Sequence, residues 1–185
     1  MTTNVQNGNS LLMAMQSMMQ EMNNASLHGE PDIYFARLMQ LHHAGAINMC
    51  DLVSNEGQDL TIAGIASALC QKQKEEIAAL QLFLNNHRPM PHSESAVFNT
   101  EMKNVLERTG LNAEQEELTD SADHDFVALM ILHHQQGIDM ANLIIEHGSN
   151  PDIKKLAGII KTDREMEIEI LLKWLNNHRG QHSPA

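Results

Sequence analysis

The chain has 185 residues, a hydrophobic content of 42% and a formal net charge of −12, which fits one ordinary domain with a real core. This acidic balance argues against nucleic acid as a partner, because nothing in the chain would neutralise a run of phosphates. No apolar run is long enough to span a bilayer. Residues 1–10 lack the basic and apolar regions of a signal peptide. We therefore expect either a cytoplasmic protein or the trimmed mature form of an exported, periplasmic one.

The first predicted helix covers residues 9–25. Its methionines recur at helical spacing, at Met15, Met18, Met19 and Met22. The chain has 13 Met and 11 His but only 3% aromatic residues, and Met is a flexible filler for a core that is short of aromatics. The same stripe is equally typical of a relay of thioether ligands for Cu(I) or Ag(I), so both interpretations stay open.

Residues 32–88 align with residues 123–179 at a fixed offset, without a gap. Identical residues occupy 21 of the 57 aligned positions, and both units close on Asn-Asn-His-Arg. An ungapped repeat of this length indicates duplication. We expect one domain over residues 1–185, with repeat units at about 9–88 and 94–179.

Each unit is predicted to contain two helices. In the first unit, one helix covers 32–55 and the next ends at about 86. In the second unit, one helix covers 123–146 and the next ends at about 177. Gly57 and Gly148 are predicted as left-handed C-caps. Asp59 and Asn150 are predicted as N-caps, with Pro151 at the first helical position. Short turns give antiparallel hairpins, and two hairpins give an all-α four-helix bundle.

Each hairpin is preceded by a further helix, and the second of these is predicted at residues 94–108. Residues 112–123 are acidic and are predicted to be a solvated connector. The tails, about 1–8 and 180–185, are expected to be disordered.

The first helix of each hairpin carries the motif His-His-x-x-x-Ile-x-Met. Steps of four and three residues from Phe35 place His42 in the middle of the packing seam, and the same steps from Phe126 place His133 there. The seam residues Ala46 and Gly137 are small, which leaves room in the middle. In the second helices the ends of the seam are apolar and the middle is polar, with Gln73, Glu76, Arg164 and Glu167.

The polar layer allows two interpretations. One is a buried network that fixes the register of the helices. The other is a metal site, because imidazole nitrogen together with thioether sulfur suits a soft ion such as Cu(I). Glu76 and Glu167 are then acceptors that orient the histidines, although an ion pair with Arg164 explains them equally well. The predicted ligands are Met39, His42, His43, Met49, Met130, His133, His134 and Met140.

Other candidate groups are given simpler roles. Cys50 and Cys70 are predicted to be small buried hydrophobes. The histidines at helix ends and in loops are predicted to lie mostly on the surface. No enzyme signature is present, and a ferritin-type di-iron site is disfavoured because no Glu-x-x-His occurs within a helix. No catalytic residue is therefore predicted.

The blocks at 35–49 and 126–140, Phe-Ala-Arg-Leu-Met-Gln-Leu-His-His-Ala-Gly-Ala-Ile-Asn-Met and Phe-Val-Ala-Leu-Met-Ile-Leu-His-His-Gln-Gln-Gly-Ile-Asp-Met, resemble a bacterial family of unknown function, domain-of-unknown-function family three-oh-five. The resemblance implies a ferritin-like helical bundle. It also implies a link to exported copper-binding or copper-resistance members. The sequence departs from the family pattern at Gly137 and Cys50, where Ala is usual, and it lacks the export signal of many relatives.

The leading prediction is a non-enzymatic protein that binds Cu(I) or Ag(I) for sequestration or tolerance. The alternative is a structural or interaction module whose polar layer only sets register. A metal oxidoreductase of the ferritin kind is the third. A homo-oligomer is compatible with all three.

Overall fold

The computed structural model describes residues 5–25, 30–89 and 95–178, and every regular element in these ranges is an α-helix. The predicted all-α class is therefore confirmed. Six helices follow in chain order: α1 Val5–Asn24, α2 Pro31–Glu56, α3 Leu60–Asn86, α4 Ala96–Gln115, α5 Ala122–His147 and α6 Pro151–His178. None of the described helices is both long and apolar enough to cross a membrane.

The two predicted hairpins are α2 with α3 and α5 with α6. Helices α2 and α5 contact each other at the centre, while α3 packs on α2 and α6 packs on α5. Helices α1 and α4 cover the central pair from another side, and α1 contacts both α2 and α5. Because the central helices are covered on several faces, the side chains in their middle turns are buried.

The predicted seam forms the core of the bundle. All ten apolar residues that the pattern placed inside are buried: Phe35, Met39, Met49, Leu69, Leu80, Phe126, Met130, Met140, Ile160 and Leu171. The four methionines of the α1 stripe are buried as well. Burying a Leu, Phe or Met side chain contributes roughly 1.5–3 kcal/mol, so this seam supplies much of the stability of the bundle.

The hairpin turns differ from the prediction at their glycines. Gly57 and Gly148 have extended backbones, with φ of −71° and −69°, so the predicted left-handed C-caps are wrong. A Cβ on Gly57 would lie 2.4 Å from Oδ1 of Asp123, and one on Gly148 would lie 2.7 Å from Oδ1 of Asp32. Glycine is needed at both turns because a carboxylate from the other hairpin crosses there.

The predicted helix starts are confirmed. Asp59 accepts hydrogen bonds from the backbone N–H groups of Thr61 and Ile62, and Asn150 caps α6 in the same way. Pro151 is the first residue of α6.

The segments outside the hairpins were predicted less well. Helix α4 continues to Gln115, and Asp123 is buried in α5, so the predicted solvated connector at 112–123 is wrong at both ends. Helix α1 begins at Val5, within the predicted disordered N-terminal tail. The predicted C-terminal tail at 180–185 lies outside the described residues.

Candidate metal centre

His42 and His133 meet where α2 and α5 cross. Nε2 of His42 lies 3.0 Å from the backbone oxygen of His133, and Nε2 of His133 lies 2.9 Å from the backbone oxygen of His42. The two rings are stacked, with centroids 3.6 Å apart. A carbonyl oxygen only accepts hydrogen bonds, so Nε2 of each ring carries the proton. Nδ1 is then the ring nitrogen with a free lone pair.

The neighbouring histidines point instead towards the second helix of their own hairpin. Nε2 of His43 lies 2.8 Å from Oε2 of Glu76, and Nε2 of His134 lies 3.1 Å from Oε2 of Glu167. A carboxylate also only accepts when it is ionised, so these contacts favour the same tautomer. The glutamates therefore lie where an acceptor would orient the histidine rings.

Arg164 of α6 completes this polar layer. Its side chain is fully buried, and its guanidinium contacts Glu76 of α3 as well as Glu167 of α6. The glutamates thus contact a histidine and the arginine at once, so the two interpretations of their role do not exclude each other. With neutral histidines, two carboxylates and one guanidinium leave the layer with one negative charge.

The electrostatic environment keeps the imidazoles neutral. Burial lowers the pKa of His42 and His133 well below the usual value, and neighbouring histidines lower it further. Burial also lowers the pKa of His43 and His134, although Glu76 and Glu167 oppose the shift. Burial alone would raise the pKa of both glutamates, but the contacts with histidine and Arg164 outweigh it and lower that pKa.

All four rings therefore present Nδ1 as an uncommitted lone pair. These four Nδ1 atoms are buried, and none has a hydrogen-bond partner in the described part of the chain. A metal-ligating histidine typically donates its other ring N–H to a carboxylate or a backbone carbonyl. Nε2 of His42 and of His133 is hydrogen-bonded to a backbone carbonyl here, and Nε2 of His43 and of His134 lies within 3.1 Å of a carboxylate oxygen. The buried thioethers of Met39, Met49, Met130 and Met140 share the seam with these rings. The donor set fits a soft ion.

Two small residues determine what packs around this layer. A Cβ on Gly137 would lie 3.2 Å from Cε1 of His42, so glycine makes room for that ring. A Cβ on Gly45 would lie 2.4 Å from Sδ of Met18, which therefore rests directly on α2. Met19 Sδ lies 3.3 Å from Nε2 of Gln136. These contacts place Met18 and Met19 between α1 and the central helices, as core residues.

Sequence reasoning missed one group of side chains at the end of the bundle. The histidines at helix ends were predicted to lie mostly on the surface, but the His87 side chain is only 8% exposed and contacts Glu30. The available signals were the repeated Asn-Asn-His-Arg and the aspartate that both repeat units share, at Asp32 and Asp123. Cys50 and Cys70 are buried and free, as predicted.

Comparison with known proteins gives the family. The sequence model of "Domain of unknown function (DUF305)" matches residues 2–84 and 32–175, and no curated protein matches. A DUF305 fragment from Deinococcus radiodurans is 22% identical, with a TM-score of 0.58 over 80% of this chain and 96% of that chain. A DUF305 protein from Streptomyces coelicolor is 20% identical, with a TM-score of 0.63 over 84% and 98% of the two chains.

A further solved structure, CopM in the Cu(I)-bound form, is 22% identical, with a TM-score of 0.59 over 80% of this chain and 98% of that chain. CopM in an Ag-bound form aligns equally well, with a TM-score of 0.59. At these identities the structural similarity establishes the fold alone. The family model covers most of the chain, so the chain belongs to the DUF305 family.

Proposed function

We propose that this chain is a non-enzymatic protein that binds a soft monovalent metal ion, Cu(I) or Ag(I), for sequestration or tolerance. The observation that supports this most is the orientation of the four buried histidines, each with Nε2 turned to an oxygen and Nδ1 free. The proposed ligands are drawn from Met39, His42, His43, Met49, Met130, His133, His134 and Met140. Glu76 and Glu167 orient the rings of His43 and His134.

The charge of the layer favours a monovalent ion. Glu76 and Glu167 with Arg164 leave one net negative charge in a buried region, and a single positive charge would neutralise it. Thioether sulfur selects Cu(I) or Ag(I) over harder cations. CopM, which has the same fold, has been solved in Cu(I)-bound and Ag-bound forms, and this supports the same class of ligand for the present chain.

A second candidate is a structural module whose polar layer fixes register without metal. The observation that favours it is Arg164, which joins Glu76 of α3 to Glu167 of α6 and so ties the two hairpins together. A ferritin-like oxidoreductase is less well supported, because both of these glutamates already contact Arg164.

A competition titration with a chromophoric Cu(I) chelator, under anaerobic conditions, separates these candidates. The site variant is His42→Ala, His43→Ala, His133→Ala, His134→Ala, and its matched control is His124→Ala, His147→Ala, His178→Ala. We expect the site variant to bind Cu(I) at least about tenfold more weakly, and the control to match the wild type.

A second set of substitutions tests the site even if the histidine variant does not fold. Replacing Met39, Met49, Met130 and Met140 by Leu removes the sulfur atoms while keeping the volume, so the bundle should persist. Cu(I) binding should again weaken. Unchanged affinity and stoichiometry in a folded His variant would contradict this site and move the metal to the α1 methionines. No Cu(I) binding by the wild type would leave the register-fixing layer as the function of these residues.

A further inference from the structure

A second group of metal-ligating side chains lies at the end of the bundle where α2 begins and α3 ends. Glu30, Asp32 and His87 bring one ligand atom each to within 4.8 Å of one another. The two carboxylates are almost completely buried, at 2% and 1% exposure. Charged groups are rarely buried to this extent unless they are paired or bind a cation.

Glu30 is an unusual residue for its place in the helix. It occupies the N-cap of α2 but makes no side-chain capping hydrogen bond, and its carboxylate turns inward to Nε2 of His87. The copy has Ser121 at this position, which caps α5 by accepting from His124 N. Ser is a preferred N-cap and Glu is not. The glutamate at this position is therefore explained by its inward contact rather than by helix capping.

We propose that Glu30, Asp32 and His87 form a binding site for a divalent cation of the Zn²⁺ class. Carboxylate oxygen and imidazole nitrogen are ligands for Zn²⁺, and the group contains no sulfur that would select a soft ion. The site is thus separate in place and in chemistry from the histidine layer. It does not rest on the proposed Cu(I) function.

The surroundings of the group suit a cation site. Oxygen atoms of Asp32 accept hydrogen bonds of 3.1 Å from the backbone N–H groups of Ser149 and Asn150, which fix the orientation of the carboxylate. A solvent-open cavity of about 760 Å³, lined by Asp32, His87 and Asn150 among others, lies beside the group. This cavity gives a hydrated ion access and leaves room for water as a fourth ligand.

Asn150 sets the tautomer of His87 before metal binds. Its Oδ1 accepts from the N–H groups of Asp152 and Ile153, so its Nδ2 faces His87 Nδ1, at 3.3 Å, as a donor. The ring proton therefore sits on Nε2, towards Glu30. A cation that binds Nε2 displaces that proton, and the ring is then protonated at Nδ1 instead. The Nδ1–H group faces the Nδ2 donor of Asn150 and therefore has no acceptor there.

The experiment is a Zn²⁺ competition titration on the full chain, with a chromophoric chelator of known affinity. The test variants are Glu30→Gln and His87→Ala. The control is His178→Ala, because His178 is the counterpart of His87 in the second repeat unit, where Ser121 replaces the glutamate. We expect both test variants to weaken the tightest Zn²⁺ site at least about tenfold and the control to leave it unchanged. Glu30→Gln keeps the shape of the side chain, and circular dichroism checks the fold.

The same titration in the quadruple histidine variant keeps this proposal distinct from the Cu(I) function, because Zn²⁺ binding should persist there. Loss of Zn²⁺ binding in that variant while it is folded, or wild-type affinity in folded Glu30→Gln and His87→Ala, would overturn the proposal. So would the absence of Zn²⁺ binding by the wild type.

The tautomer of His87 provides an independent readout. Asn150→Asp retains an oxygen for the cap of α6 and offers a second one to accept from Nδ1–H of His87. Asn150→Asp should therefore tighten Zn²⁺ binding. The charge control is Asn86→Asp, which adds the same negative charge to the wall of the same cavity and should tighten binding less. Equal effects of the two substitutions would contradict the proposed binding through Nε2.

Discussion

Arg164 is the residue on which the polar layer depends most. Its guanidinium is fully buried and separates two carboxylates that would otherwise face each other. Removing one partner of a buried ion pair leaves uncompensated charge, which typically costs about 3–5 kcal/mol. We therefore expect Arg164→Met to lower the free energy of unfolding by about this amount, measured by urea denaturation.

The matched control is another ion pair in the same pair of helices. Lys72 and Asp163 join α3 to α6 at 2.7 Å, but the Lys72 side chain is 37% exposed. Lys72→Met should cost no more than about 1 kcal/mol, because exposed ion pairs contribute little. Similar costs for the two substitutions would show that Arg164 does not support the layer as described.

Replacement of Gly137 by Ala should change stability in the opposite direction from replacement of Gly158. His42 is held against its neighbour by stacking and by a hydrogen bond, so it cannot move away from a new Cβ at 3.2 Å. Gly137→Ala should destabilise the protein by about 1–3 kcal/mol through overpacking. A Cβ on Gly158 would meet nothing within 4 Å. Gly158→Ala should therefore stabilise the helix by roughly 0.5–1 kcal/mol. A thermal melt that ranks the two variants in the reverse order would contradict this packing.

At the scale of helices, reciprocal carboxylates join the two hairpins. Asp123 at the start of α5 accepts hydrogen bonds of 2.8 and 3.1 Å from the N–H groups of Gln58 and Asp59 in the α2–α3 turn. Asp32 does the same for the α5–α6 turn. Each turn is thus held by the other hairpin, which explains why both turns need glycine.

We expect Asp123→Ala to lower the free energy of unfolding by about 2–3 kcal/mol, because two hydrogen bonds to a charged group are lost. Asp139→Ala is the control, since it removes a carboxylate of α5 whose ion-pair partner, Arg108, is 59% exposed. The control should cost at most about 1 kcal/mol. A neutral Asp123→Ala in chemical denaturation would argue against the role of these carboxylates.

The hairpin helices could be predicted because the repeat, the caps and the seam all pointed to the same boundaries. The C-terminal boundary of α4 could not be predicted, because Gly110 and Asn112 resemble a helix end in isolation. The helix continues since Thr109 and Ala113 are buried and the Cε atom of Met19 would lie 4.0 Å from a Cβ on Gly110. Packing against α1 decides this boundary, and packing between distant segments is not visible in local sequence.

For the molecule as a whole, the buried histidines make stability depend on pH. The pKa of all four layer histidines is lowered in the folded state, and the pKa of both glutamates is lowered too. A lowered pKa means that the unfolded chain binds more protons, so the histidine contribution to stability is present above their unfolded pKa of about 6.5 and is lost below it. The glutamates act in the same direction, but only near and below their unfolded pKa of about 4.3. Each proton taken up on unfolding changes the free energy of unfolding by about 1.4 kcal/mol per pH unit.

The free energy of unfolding should therefore fall between pH 7.5 and pH 5.5 in the metal-free wild type, as measured by urea denaturation. The quadruple histidine variant should show a flatter dependence over the same range. A stability that is constant, or that rises on acidification, would contradict neutral burial of the histidines.

The candidate site was partly visible in the sequence. Helical spacing placed His42 and His133 in the middle of the seam and put polar residues in the middle of the second helices. In the structure His42 stacks on His133, while Glu76 and Glu167 contact the neighbouring His43 and His134. The reciprocal bonds to backbone carbonyls could not be predicted, because they depend on how closely α2 and α5 cross. Those bonds determine which ring nitrogen is free, and hence what the layer offers to a metal.

In the proposed metal centre, imidazole Nδ1 atoms and thioethers of the seam hold a soft ion. X-ray absorption at the copper K edge, on protein loaded anaerobically with one equivalent of Cu(I), identifies these ligand atoms. We predict both nitrogen and sulfur neighbours around copper in the wild type, and loss of the nitrogen neighbours in the quadruple histidine variant. Identical sulfur-only environments in the two proteins would contradict the claim.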